Sequence, residues 1–137
     1  MKNKIKVTAL LVVFSCLLFS TATIAQKSEK TAIPEVVSAS ISEDFVISLP
    51  NEQGAFSANY LLSVKNLQFK SEENLNKFCE MFSFDFHKLK GDFNNQKIML
   101  ELDRQSIERR GFSKAQVNQH FASISKRMEY YFQKFIN

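Results

Sequence analysis

Hydrophobic and polar positions alternate with period two in four stretches of this chain and recur with helical period in two others. Phe45, Ile47 and Leu49 alternate with Val46 and Ser48, and Pro50, Asn51 and Gly54 then supply turn residues, so a short strand and a reverse turn are expected. Phe56, Ala58, Tyr60, Leu62 and Val64 follow on one face, opposed by Ser57, Asn59, Leu61, Ser63 and Lys65, the signature of a half-buried strand. At Ser71 the period changes. Leu75, Phe78, Cys79 and Phe82 fall at i, i+3, i+4 and i+7, which predicts a helix from Ser71 to about Phe82. Ser71 is placed to cap its first turn, and Glu72 and Glu73 suit the positive end of its dipole.

Period two returns in Phe84, Phe86 and Lys88, and again in Ile98, Leu100 and Leu102, predicting a hairpin around residues 91–96. If Phe84 and Phe86 share a face with Leu100 and Leu102, paired positions sum to an even number and the loop has an odd number of residues. Phe86 then pairs with Leu102, which places His87 opposite Glu101 and Asp85 opposite Asp103 on the outer face. The last segment opens with Ser113 and, three residues on, Gln116, a capping-box spacing. Val117, Phe121, Ile124, Met128, Phe132 and Phe135 keep the helical period. About 23 residues at 1.5 Å each span about 34 Å, roughly twice the length of a strand of five or six residues, so the final turns are expected to overhang the sheet.

The element order is ββαββα. The expected fold is α+β: a ferredoxin-like two-layer sandwich, a four-stranded antiparallel sheet with two helices on one face. The run from the Phe56 strand through the Ser71 helix and the residue 84–103 hairpin to the Ser113 helix resembles small ferredoxin-like heavy-metal-associated domains. That family's metal-binding Cys-x-x-Cys lies between first strand and first helix. Residues 66–71 hold no cysteine, so the resemblance implies a layout and no metal ligand.

The N-terminus has its own pattern. Lys2, Lys4 and Lys6 precede an apolar run from Val7 to Phe19, and small residues reach Ala25, the composition of a signal peptide over residues 1–25. The run is shorter than the ~20 residues of a membrane-spanning helix, so no transmembrane segment is expected in the mature chain. The expected location is periplasmic or secreted. A lipid-anchored form processed at Cys16 is the alternative. Residues 26–42 mix Lys, Ser, Thr and Ala with little period and read as a flexible spacer; residues 43–137 then form a single domain.

Charge and cysteine narrow the function classes. Three of the 18 Lys and Arg and none of the 14 Asp and Glu lie in residues 1–25, so the balance beyond them is +1. A nucleic-acid-binding domain is strongly basic as a rule, so no nucleic-acid partner is expected. Beyond the leader Cys79 is the one cysteine, which excludes a disulfide scaffold; its place on the helix stripe marks it as a packing residue with a raised thiol pKa. Phosphate-binding, hydrolase and zinc-protease motifs are missing. The chain reads as a non-enzymatic binding or interaction domain with no cofactor.

Two sets of residues carry the remaining possibilities. His87, Glu101, Asp85 and Asp103 share one face in the expected register, the composition of a divalent metal site, and a periplasmic metal-binding protein is the alternative function. Tyr130, Tyr131 and Phe135, bordered by Lys126, Arg127 and Lys134, form an aromatic helix end that, where it projects beyond the sheet, suits a protein partner or a second copy of the chain; the alternative is that Phe132 and Phe135 fold back on the N-terminal strand or spacer. The outer sheet face, expected to carry Leu61, His87, Leu89, Met99 and Glu101, is a further contact surface. His120 is expected at the edge of the core.

Overall fold

The computed structural model describes residues 36–136. The expected leader and the first part of the expected spacer lie outside the described residues. Five strands are described: β1 (Val36–Ile41), β2 (Ile47–Ser48), β3 (Asn59–Ser63), β4 (His87–Asp92) and β5 (Lys97–Leu102). The helices are α1 (Glu72–Met81), between β3 and β4, then α2 (Arg104–Arg110) and α3 (Lys114–Tyr131) after β5; a π-helical turn, Phe132–Ile136, continues α3. None of these helices is long and apolar enough to cross a membrane.

The strands form one mixed sheet in the order β2-β1-β3-β5-β4. β1 runs parallel to β3, and the β1–β2, β3–β5 and β4–β5 pairs are antiparallel. This overturns the expected four-stranded antiparallel ferredoxin-like sandwich with two helices. The cause is the strand β1, which forms from residues expected as spacer and inserts between the Phe45 segment and β3. Its inward residues Val37, Ala39 and Ile41 alternate with the exposed Val36, Ser38 and Ser40, a period-two pattern hidden by small side chains. The third helix, α2, has a single apolar residue facing inward, the buried Ile107. It is defined by its ends: Asp103 accepts from the Ser106 N–H at 3.1 Å, and Gly111 closes it in the left-handed conformation at φ 65°, where a residue without Cβ carries no steric cost.

The other elements follow their patterns. Phe45, Ile47 and Leu49 are buried, as are Tyr60, Leu62 and Val64. Ser71 accepts from Asn74 N–H to cap α1, and Ser113 and Gln116 form the reciprocal capping box of α3. Leu75, Phe78 and Cys79 from α1 and Val117, Phe121 and Met128 from α3 join the inner sheet residues in one core. Phe45, Phe69, Phe78 and Phe132 meet in tilted and edge-on pairs with ring centres 4.9–6.3 Å apart, the geometry aromatic quadrupoles favour.

The hairpin register departs from expectation by one residue. His87 pairs with Leu102, Lys88 with Glu101 and Leu89 with Leu100, so paired positions sum to an odd number and four residues, 93–96, connect the strands. The phase is reset ahead of the strand. Asp85 adopts φ 60°, and the His87 N–H donates to the Phe84 carbonyl at 3.2 Å. This turn lets Phe86 and His87, neighbours in sequence, both point into the core.

Candidate functional site

Asp85, His87, Glu101 and Asp103 border one cavity of about 290 Å³, together with Phe86, Lys88 and Leu102. The one-residue register shift gives the four different tasks. Lys88, not His87, stands across from Glu101. The Glu101 carboxylate accepts from Lys90 Nζ at 2.7 Å, Asp103 caps α2, and Asp85 receives both terminal nitrogens of Arg110, at 2.6 and 2.5 Å. Among the described residues no group of three or more His, Cys, Asp or Glu is arranged to hold a metal ion. His87 is 2% exposed; its expected place on the outer face is corrected by the turn at Asp85, and Leu89, on the same alternation, is buried too.

His87 instead belongs to an aromatic box. Its Nε2 lies 2.9 Å from the Phe82 carbonyl; a carbonyl only accepts, so the proton is on Nε2 and Nδ1 carries a lone pair. Phe84, Phe86, Phe121 and His120 surround the ring at centre distances of 4.9–5.7 Å. His87 Nδ1 and His120 Nε2 are buried with no hydrogen-bond partner in the protein. Burial first, and the neighbouring His120 second, push the His87 pKa down to about 4, against the pull of the Phe82 carbonyl and Asp85. His120, half-buried at the rim, is lowered as well, by burial and then by Arg127, with Asp85 opposing. A neutral imidazole beside an Asp85 carboxylate that is tied to Arg110 is poorly placed for proton transfer.

Cys79 is free and buried, and burial raises its thiol to about 12. At neutral pH almost no thiolate is present, and the thiolate is the nucleophile. Lys114 is a buried charge that sequence reading passed over. Its Nζ donates to the Pro50 and Asn51 carbonyls at 3.2 and 3.0 Å, tying α3 to the loop after β2. A charged residue one position after an N-cap carries no signal of burial, so nothing in the pattern marks it.

The aromatic helix end is the remaining candidate, and its geometry is set by the π-helical turn. Widening the helix there by one residue per turn puts Phe132 and Ile136 inside and leaves Phe135 outside. The expected overhang is therefore partial: Phe132 folds back onto the core, and Asn74 Nδ2 holds the Ile136 carbonyl at 2.6 Å. Tyr130 and Phe135 are 57% and 59% exposed. Lys134 Nζ lies 5.3 and 5.6 Å from their ring centres and donates to the Tyr130 hydroxyl at 2.8 Å. Half-buried Tyr131 stacks on Phe135 at 5.1 Å and meets Phe82 edge-on at 5.7 Å. An unbroken aromatic series thus runs from the core to solvent. Met81, at the end of α1, is also exposed.

Neither the family models nor the curated proteins nor the solved structures contain a match to this chain.

Proposed function

We propose that this chain is a small exported domain that acts by binding a protein partner rather than by catalysis, and that the partner meets the aromatic end of α3. The reading is carried by the exposed pair Tyr130 and Phe135, bridged by Lys134 and seated on Tyr131 and Phe82. Aromatic side chains of this kind are enriched at the centres of protein interfaces. Rings already held in place lose little freedom on association, so more of the contact energy remains as affinity. The chemistry-bearing residues support the same reading: Cys79 is protonated and enclosed, His87 is neutral and enclosed, and Asp85, Glu101 and Asp103 are engaged with Arg110, Lys90 and the α2 backbone.

A photoreactive phenylalanine analogue placed at position 130 or 135 and activated in the producing cells tests this surface. A discrete protein adduct in the exported fraction is expected from both positions and not from position 88, on the outer side of β4. Absence of an adduct at 130 and 135, or equal labelling at 88, overturns the assignment.

A further inference from the structure

The two flanks of the sheet are finished in different ways. On β4 the Asp103 N–H donates to the Phe86 carbonyl, so even-numbered residues bond to β5 and odd-numbered ones turn their backbone groups outward. The outward N–H groups of His87 and Leu89 are occupied. The His87 N–H donates to the Phe84 carbonyl at 3.2 Å, and the Leu89 N–H donates to Ser83 Oγ at 2.7 Å. Lys88 and Lys90 add exposed charge. Charged and capped in this way, β4 offers little to an incoming strand.

Among the described residues the β1 side is open. The Ser42 N–H donates to the Val46 carbonyl, so by alternation Ser40, Ser38 and Val36 direct their backbone groups away from β3. The far side of β3 agrees: Leu102 N–H donates to Ala58 and Val64 N–H to Gln96, which assigns the even residues of β3 to β5 and its odd residues to β1. β2 pairs only with Ser40 and Ile41. It leaves the sheet at Leu49, whose N–H is taken by Asn118 Oδ1 at 2.8 Å and whose carbonyl is taken by Asn118 Nδ2 at 3.3 Å, and Pro50 follows. Among the described residues, no strand runs beside the outward groups of Val36 and Ser38. β1 has no charged residue, and Val36 is 46% exposed.

We propose that this edge pairs with a second copy of the chain, antiparallel about a two-fold axis at Val37, with Val36 opposite the partner subunit's Ser38 and Ser38 opposite the partner subunit's Val36. In an antiparallel hydrogen-bonded pair each residue both donates and accepts, so this register forms four backbone hydrogen bonds. An edge is its own complement in that arrangement, and an uncharged strand brings no like-charge repulsion to the axis. The symmetry closes the assembly at two copies, and the capped β4 edge gives it no route to a longer array. Tyr130 and Phe135 take no part in this contact, so it stands or falls separately from the aromatic helix end.

Sedimentation of the purified protein over a range of concentrations tests the proposal. A mass rising from one copy to two is expected. Ser38→Pro removes an N–H that faces the open edge, where proline is tolerated, and is expected to give a folded monomer at every concentration with an unchanged circular dichroism spectrum. Ala39→Pro removes an N–H that faces β3 and is expected to lose the folded signal. A wild-type protein that stays monomeric, a Ser38→Pro variant that still dimerises, or a Ser38→Pro variant that does not fold overturns the proposal. So does protection of the Val36 and Ser38 amides from hydrogen exchange that is independent of concentration, since the chain's own residues would then cover the edge. Loss of the dimer on Phe135→Glu, with Ser38→Pro still dimeric, would move the contact to α3 and overturn it as well.

Discussion

The imidazole of His87 lies edge-on to that of His120, ring centres 5.7 Å apart and planes 66° from parallel, inside a wall of phenylalanines. Each ring leaves one buried nitrogen without a partner in the protein. Two neutral imidazoles tolerate this arrangement; two imidazolium ions would repel one another in a site with little water to screen them.

Stability should therefore fall on mild acidification. Burial and His120 lower the folded-state pKa of His87 to about 4, from an ordinary value of 6.5. The unfolded chain takes up the proton first, so the stabilisation is complete above pH 6.5 and is lost as pH falls toward 4. A shift of this size corresponds to about 3 kcal/mol. Arg127 and Asp85, which also face the pair, act on it in opposite directions. Urea unfolding at pH 7, 6, 5 and 4 should show this loss, and His87→Gln should flatten most of it while lowering stability at pH 7.

The clamp between Asp85 and Arg110 holds the turn that resets the β4 phase. Both side chains are partly exposed, 36% and 45%, so solvent screening limits the pair despite its two hydrogen bonds. Asparagine accepts the left-handed conformation that Asp85 adopts, which makes Asp85→Asn a clean removal of charge. A double-mutant cycle with Arg110→Gln should give a coupling of about 0.5–1 kcal/mol, diminished in 1 M salt.

At Gly91 a side chain of α1 packs directly onto the backbone of β4. A Cβ at that position would stand 2.6 Å from Leu75 Cγ and 2.9 Å from its Cδ2, and Leu75 is fully buried. Gly91→Ala should cost about 1–3 kcal/mol by overpacking, measured by the urea midpoint. In a Leu75→Ala background the same change should cost much less, because Leu75 Cγ and Cδ2 are gone.

Several elements were legible in the residue pattern because their evidence is local. The inward faces of β2, β3 and β5, the stripe and cap of α1, and the capping box of α3 each rest on residues within one or two turns of one another. β1 and α2 escaped because their side chains are small or polar, and both become regular through what they pack against and pair with. At the candidate sites Phe132 folds back while Phe135, on the same helical period in the sequence, stays outside beside Tyr130, and the inward turn of His87 depends on one backbone angle at Asp85 that hydrophobic periodicity does not encode.

Composition and spacing alone thus mark strands and helices around a phenylalanine-rich core, an enclosed thiol and an aromatic C-terminal helix, since burial of apolar side chains at helical or strand period is a short-range property. The order of the strands, the parallel β1–β3 pair and the enclosure of His87 beside His120 depend on contacts between residues far apart in the chain. Such contacts are chosen by the packing of the whole core, and a single left-handed residue can shift a strand by one position and exchange its two faces.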